Sequence, residues 1–228
     1  ALNACTTAGG NTVIGYDAAR LLAGSDNTGT DNTVIGWKAF DAATTNERQN
    51  VIIGSGAGGA INSSDADDNV LIGHNAGLGG GGTTEDCVVI GASAMDGTGT
   101  STQTGTVAIG YFALTDLQGG AGNVAVGYKA GYAITSGTKN TALGYQAGDA
   151  IVGNHFNTAV GYDSLSAAAG SGNTAVGLDS LKVCTGTYNT ALGTYAGDVV
   201  TSGDKNTFLG YHADADAATD SYHVKMGD

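Results

Sequence analysis

The 228-residue chain carries 40 glycines, no proline and only 13% charged residues, yet 41% of it is apolar; a disordered polar linker is thereby excluded, because it would hold too few apolar side chains to offset its ordering entropy. A formal charge of −13 repels phosphate backbones and anionic lipid heads, so nucleic acid is not an expected partner. No stretch approaches the roughly 20 apolar residues of a membrane span, so no membrane insertion is expected, and Ala1-Leu2-Asn3-Ala4-Cys5 lacks the basic and apolar regions of a signal peptide.

In chain order, residues 1–10 read as an N-terminal cap or linker, and residues 11–228 as one repeat array. The repeat is anchored on a glycine, at Gly15, Gly36, Gly54, Gly73, Gly91, Gly110, Gly127, Gly144, Gly161, Gly177, Gly193, Gly210 and a degenerate Gly227, spaced 16 to 21 residues apart and tightening toward the C-terminus. Counted from that glycine, position −4 is asparagine in ten copies: Asn11, Asn32, Asn50, Asn69, Asn123, Asn140, Asn157, Asn173, Asn189 and Asn206. Position −3 is threonine or valine, −1 a large aliphatic, +1 often tyrosine, and +3 alanine except at Ser164 and Ser180.

The β-branched residues before each glycine predict a short strand, and the glycine with its Gly/Asp/Ser/Thr-rich sequel predicts a turn and loop. No unit has room for a helix of ten periodic residues. One such strand cannot fold alone, but stacked in-register copies turn each column into a ladder with a rise of about 4.8 Å, with apolar residues packing on their equivalents and asparagine amides bonding along the stack. The expected fold is therefore all-β: a parallel β-solenoid of about 12–13 coils of 16–21 residues. The glycine is expected to supply a positive-φ corner or a close backbone approach.

Position −2 lies on the opposite strand face from −3 and −1, yet it too is apolar: Val13, Val34, Ile52, Leu71, Val89, Ala108, Ala125, Ala142, Ala159, Ala175, Ala191 and Phe208, becoming polar only at Lys225. Strands apolar on both faces are buried on both faces. One face lines the coil, and the other requires a cover, most economically an identical chain; which column faces inward is left open. In a cyclic assembly the alanines from 108 to 191 would let backbones of different chains approach closely.

Together, copies such as Asn140-Thr141-Ala142-Leu143-Gly144-Tyr145-Gln146-Ala147-Gly148 and Asn157-Thr158-Ala159-Val160-Gly161-Tyr162 resemble the repeats of bacteriophage tail fibres and of trimeric autotransporter adhesin heads, over residues 11 to 227. The resemblance implies a left-handed β-roll, homotrimeric about the fibre axis, on a virion tail or at a cell surface, that binds a host-surface glycan or protein. The longer, variable unit departs from the adhesin-head pattern and favours the tail fibre. Tyr222-His223-Val224-Lys225-Met226-Gly227-Asp228 looks like a last coil leading into a further segment. Recognition is expected in the variable loops, for example 24–31, 61–68, 78–86 and 96–105.

Other motifs carry less. Gly54-Ser55-Gly56-Ala57-Gly58-Gly59 fits a dinucleotide fingerprint after a strand, but it lies on the repeat glycine and no helix pattern follows. Ile14-Gly15-Tyr16-Asp17-Ala18-Ala19 resembles a hexapeptide acyltransferase rung, which such enzymes use several times per coil and which occurs here once. His74, His155, His212 and His223 have no recurrent nucleophile or carboxylate beside them, so no catalytic residues and no cofactor are expected. Cys5, Cys87 and Cys184 match no metal-ligand spacing. Asp65-Ala66-Asp67-Asp68 and Asp214-Ala215-Asp216 offer clustered oxygens of the kind calcium favours, but acidic loops are ordinarily just solvated, and no metal is expected. The aromatics Tyr16, Trp37, Tyr111, Tyr128, Tyr145 and Tyr162 form either a sugar-stacking stripe or, the preferred reading, a packing ladder. The threonines of position −3 suggest an ice-binding solenoid as an alternative class, interrupted by Val51, Val70, Val88, Val107 and Val124; a polysaccharide-cleaving tailspike is a third.

Overall fold

The computed structural model describes residues 9–22, 29–44, 46–63, 66–79, 82–97, 99 and 102–227. These form an all-β parallel solenoid of about twelve turns with no helix, as the repeat predicts. The chain divides into two compact units, residues 1–122 and 123–228; most of the expected cap at 1–10 lies outside the described residues. In the first unit, β1 (Thr12–Ile14), β2 (Thr33–Ile35), β3 (Val51–Ile53), β4 (Val70–Ile72), β6 (Val88–Ile90) and β8 (Val107–Ile109) pair in parallel and in register. There Val34 lies opposite Ile52 and Ile52 opposite Leu71. The two-residue strands β5 (Thr84–Glu85) and β7 (Gln103–Thr104) form a second small ladder. In the second unit, β9 (Val124–Val126), β10 (Thr141–Leu143), β11 (Thr158–Val160), β12 (Thr174–Val176), β13 (Thr190–Leu192), β14 (Thr207–Leu209) and β15 (Val224–Met226) continue the same pattern.

The structure identifies the inward column as position −2. Val34, Ile52, Leu71, Val89 and Ala108 are fully buried in the first unit, and Ala125, Ala142, Ala159, Ala175, Ala191 and Phe208 in the second. The alanines from 108 to 191 therefore line coil interiors and are not where chains approach one another, contrary to the expectation for a cyclic assembly. Alternation then turns −3 and −1 outward. The rest of the core comes from the alanine or serine at +3 and from residues at +4 and +7. At those last two positions bulk is traded: Phe40 accompanies Ala43 and Leu181 accompanies Cys184, whereas Gly148 accompanies Ile151 and Gly197 accompanies Val200. Gly197 also makes room for its neighbours, since a Cβ there would lie 2.6 Å from Leu181 Cδ2 and 2.8 Å from Phe208 Cδ2.

Two backbone features set the coil. The anchoring glycines have φ from 114° to 142°, a region closed to residues with a Cβ. Within each unit, all but the last anchoring glycine also face the equivalent glycine of the next coil closely: a Cβ on Gly73 would lie 2.6 Å from the Gly91 carbonyl oxygen. The corners at −5, +2 and +4 are left-handed even where they are not glycine, as at Lys38 (φ 50°), Phe40 (φ 51°) and Gln49 (φ 58°). These corners aim backbone groups along the stack: Lys38 N–H donates to the Tyr16 carbonyl at 3.0 Å on one side, and Phe40 N–H to the Ala57 carbonyl at 2.9 Å on the other.

The buried asparagines form the expected ladder. Asn140 Oδ1 accepts from the Asn157 backbone N–H at 2.9 Å, while Asn140 Nδ2 donates to Asn123 Oδ1 at 3.2 Å and to the Asn154 carbonyl at 2.9 Å. The same arrangement joins Asn11, Asn32, Asn50 and Asn69 in the first unit. Asn140→Ala strands the Asn157 N–H in the core and is expected to cost about 2 kcal/mol, more than Asn11→Ala at the less buried end of its ladder; chemical denaturation of both variants checks this. Gly144→Ala is expected to cost about 3 kcal/mol or more. Gly105→Ala, at φ 61° with nothing within 4 Å of the added Cβ, is expected to cost about 1 kcal/mol.

Candidate functional site

The sequence-predicted residues fall into two structural roles. Asn11, Asn32, Asn140 and Asn157 are rungs of the amide ladder, and Gly15, Gly36, Gly144 and Gly161 are contact points between coils. The glycine-rich 54–59 segment is the same corner with glycine at its left-handed positions, Gly56 (φ 69°) and Gly58 (φ 56°). Among the described residues no helix follows it to present a phosphate-binding N-terminus.

The outward face of the strands is more distinctive. Position −1 presents large aliphatics to solvent, among them Ile14 (59% exposed), Leu192 (48%) and Met226 (77%). The aromatic column at +1 continues this surface, with Tyr16, Trp37, Tyr111, Tyr145 and Tyr162 all exposed. In the second unit the rings form a stack: Tyr128 to Tyr145 at 4.8 Å and 18°, then Tyr145 to Tyr162 at 5.1 Å and 4°. A sugar ring binds an aromatic face, and both faces of Tyr145 are occupied by its neighbours, so Tyr145 offers a partner its edge and hydroxyl. In the first unit Lys38 Nζ lies 5.0 Å from the Trp37 ring, and Tyr111 packs on Phe112 at 4.0 Å.

Of the variable loops, 24–31 and 61–68 lie partly outside the described residues, as do 78–86 and 96–105. Asp67 is engaged by Arg48, whose Nη2 lies 3.2 Å from Asp67 Oδ2 and whose backbone N–H donates to Asp67 Oδ1 at 2.7 Å. Asp65 and Cys5 lie outside the described residues. Cys87 and Cys184 are buried free thiols, and burial pushes both above the usual thiol range. His155 Nδ1 lies 3.0 Å from the Thr138 N–H, and His223 lies 3.8 Å from Asp220.

Asp214 and Asp216 have different partners: Asp216 Oδ1 accepts from Lys225 Nζ at 2.8 Å. Asp214 meets Asp198 of the preceding coil instead, and with His212 the three place one ligand-type atom each within 4.8 Å of one another. Burial, then a hydrogen bond and charge repulsion from Asp198, push Asp214 up to about 7. The His212 ring stacks on Tyr195 at 4.8 Å and meets Tyr211 edge-on at 4.4 Å. Sequence reasoning missed this grouping because Asp198 and His212 become neighbours only through coil stacking. One signal was visible: Asp214 occupies position +4, which in every earlier coil holds Ala, Phe, Gly, Met or Leu.

No family model, curated protein or solved structure matches the chain.

The ring stack has a measurable consequence. Tyr145→Leu loses two ring contacts and Tyr162→Leu one of the same two, so Tyr145→Leu is expected to cost about 1 kcal/mol more; thermal unfolding of the two variants compares them.

Proposed function

We propose that the chain is a non-enzymatic segment of a homotrimeric attachment fibre, a left-handed β-roll of the phage tail-fibre kind with the trimeric bacterial adhesin as its near relative, which engages a host-surface glycan or protein through its variable loops. The observation that carries this reading is the outward face of the solenoid. Its −1 column is aliphatic coil after coil, and aromatics at +1 flank it, while the inward face is already filled by position −2. An apolar stripe of this kind, present in each unit, is the sort of surface that binds protein. Because the repeat runs the length of the stripe, a cover with the same repeat, a copy of this chain, matches it rung for rung. The resemblance of the Asn-Thr-Ala-Leu-Gly-Tyr and Asn-Thr-Ala-Val-Gly-Tyr copies to tail-fibre repeats supplies the trimer and the attachment role. Weak loop sites repeated on three chains add through avidity.

Light scattering at micromolar concentration is expected to give a mass three times that of the chain. Val160→Asp, on the outward face of β11, is expected to dissociate the assembly without altering the β signal in circular dichroism. A wild-type monomer at that concentration overturns the reading.

One observation favours a second reading, an ice-binding face. In β10 to β14 the outward −3 column is an unbroken run of Thr141, Thr158, Thr174, Thr190 and Thr207 in strict register. The valines of this column lie at or before Val124, and again at Val224 in the last coil. Thermal hysteresis that is abolished by Thr174→Leu establishes this reading, and its absence in the wild type removes it.

A further inference from the structure

We propose that Asp198, His212 and Asp214 form a binding site for a divalent transition metal, with zinc the best-fitting ion, that ties together two successive coils of the second unit. The donors come from different coils: Asp198 follows Gly193 by five residues, and His212 and Asp214 follow Gly210 by two and four. Their ligand atoms lie within 4.8 Å of one another. Ligand atoms sharing a tetrahedral zinc through bonds of about 2.0–2.2 Å lie about 3.4 Å apart, so side-chain rotamer changes that draw the three atoms together by roughly 1 Å complete the set. Two carboxylate oxygens and one imidazole nitrogen are the donors that zinc and its neighbours accept, whereas calcium takes oxygen ligands.

Two features distinguish this group from an ordinary acidic surface. First, Asp214 stands at a position that holds an apolar residue or glycine in every earlier coil, and it is half-buried beside a second carboxylate. The nearby ammonium of Lys225 is directed to Asp216 at 2.8 Å, so the two carboxylates lack that counter-charge. Second, the one neutral donor is held in place: Tyr195 covers a face of the His212 ring and Tyr211 meets it edge-on. A metal ligand benefits from such fixed orientation, because less freedom is lost on coordination. A pocket of about 300 Å³ lined by Tyr211, His212, Asp214, Lys225 and Met226 adjoins the group and leaves room for the water molecules that complete the coordination shell.

The test is calorimetric titration of zinc chloride into the full chain after chelator treatment, in parallel with cobalt(II) absorption spectra. One zinc per chain is expected, with a Kd on the order of micromolar, together with cobalt d–d bands that report nitrogen and oxygen ligation. His212→Gln and Asp214→Asn are expected to weaken binding by at least about tenfold while leaving circular dichroism unchanged, and Asp216→Asn and His155→Gln to leave binding unaltered. Absence of zinc binding by the wild type, binding that survives His212→Gln, or calcium bound as tightly as zinc overturns the assignment.

Discussion

Every coil hands its backbone hydrogen bonds to its neighbours, and everything else in the fold follows from keeping the coils close enough for that exchange. Gly36 N–H reaches the Ile14 carbonyl at 2.8 Å in the first unit and Gly144 N–H the Val126 carbonyl at 2.8 Å in the second, so the spacing between coils within each unit is that of neighbouring strands. At the anchoring position this leaves no volume for a side chain. The asparagine at −4 solves a related problem. Its own N–H points along the stack where the chain turns into the strand, and the acceptor it finds is the amide oxygen of the previous asparagine, as when Asn173 N–H donates to Asn157 Oδ1 at 2.9 Å. A buried amide donor left unmade costs more than a made one gains. Such a ladder therefore specifies register more than it adds net stability.

The exceptions to the ladder support this view. At Cys87 and Thr106 the asparagine is missing, and there the preceding segments pair directly through β5 and β7, with Gln103 N–H donating to the Thr83 carbonyl at 2.8 Å. Backbone pairing takes over where side-chain amides are absent. Cys87 N–H still uses the last amide below it, Asn69 Oδ1, at 3.0 Å. At the C-terminal end His223 N–H uses Asn206 Oδ1 in the same way at 2.9 Å. In that same coil the inward column turns polar at Lys225, whose Nζ donates to Asp216 Oδ1 at 2.8 Å.

Much of this was legible in the sequence because each column has one dominant constraint. A glycine required by close approach and an asparagine required by a buried amide leave signatures in every copy, and so the strands, their register and their parallel pairing could be read directly. The left-handed corners were less visible. Lys38, Phe112, Asp163 and Tyr195 all occupy the +2 corner and share no chemistry. Their conformation is imposed by hydrogen bonds to neighbouring coils, and tertiary context of that kind overrides residue preference. The inward face was ambiguous for a similar reason: Val, Ile and Leu fill both faces in the first unit, and composition alone cannot separate an interior from a covered exterior. In the second unit the inward column is alanine from Ala125 to Ala191 and then Phe208, which is accommodated by Gly197.

The two faces therefore carry different kinds of information. Inside the coil, volume is conserved by exchange, with Phe208 accommodated by Gly197 and Ile151 by Gly148, so the interior tolerates variation as long as the sum is kept. Outside, position −1 is only half-buried in most coils, and soluble strands commonly place polar residues on such a solvent side. This chain does not: Ile35, Ile53, Ile72, Ile90, Ile109, Leu143, Val160 and Val176 run through both units without a polar substitution. In the proposed assembly this aliphatic column is the face that a second copy of the chain would cover. On that proposal, the regular rise within each unit lets a repeat of the same period meet the column rung by rung.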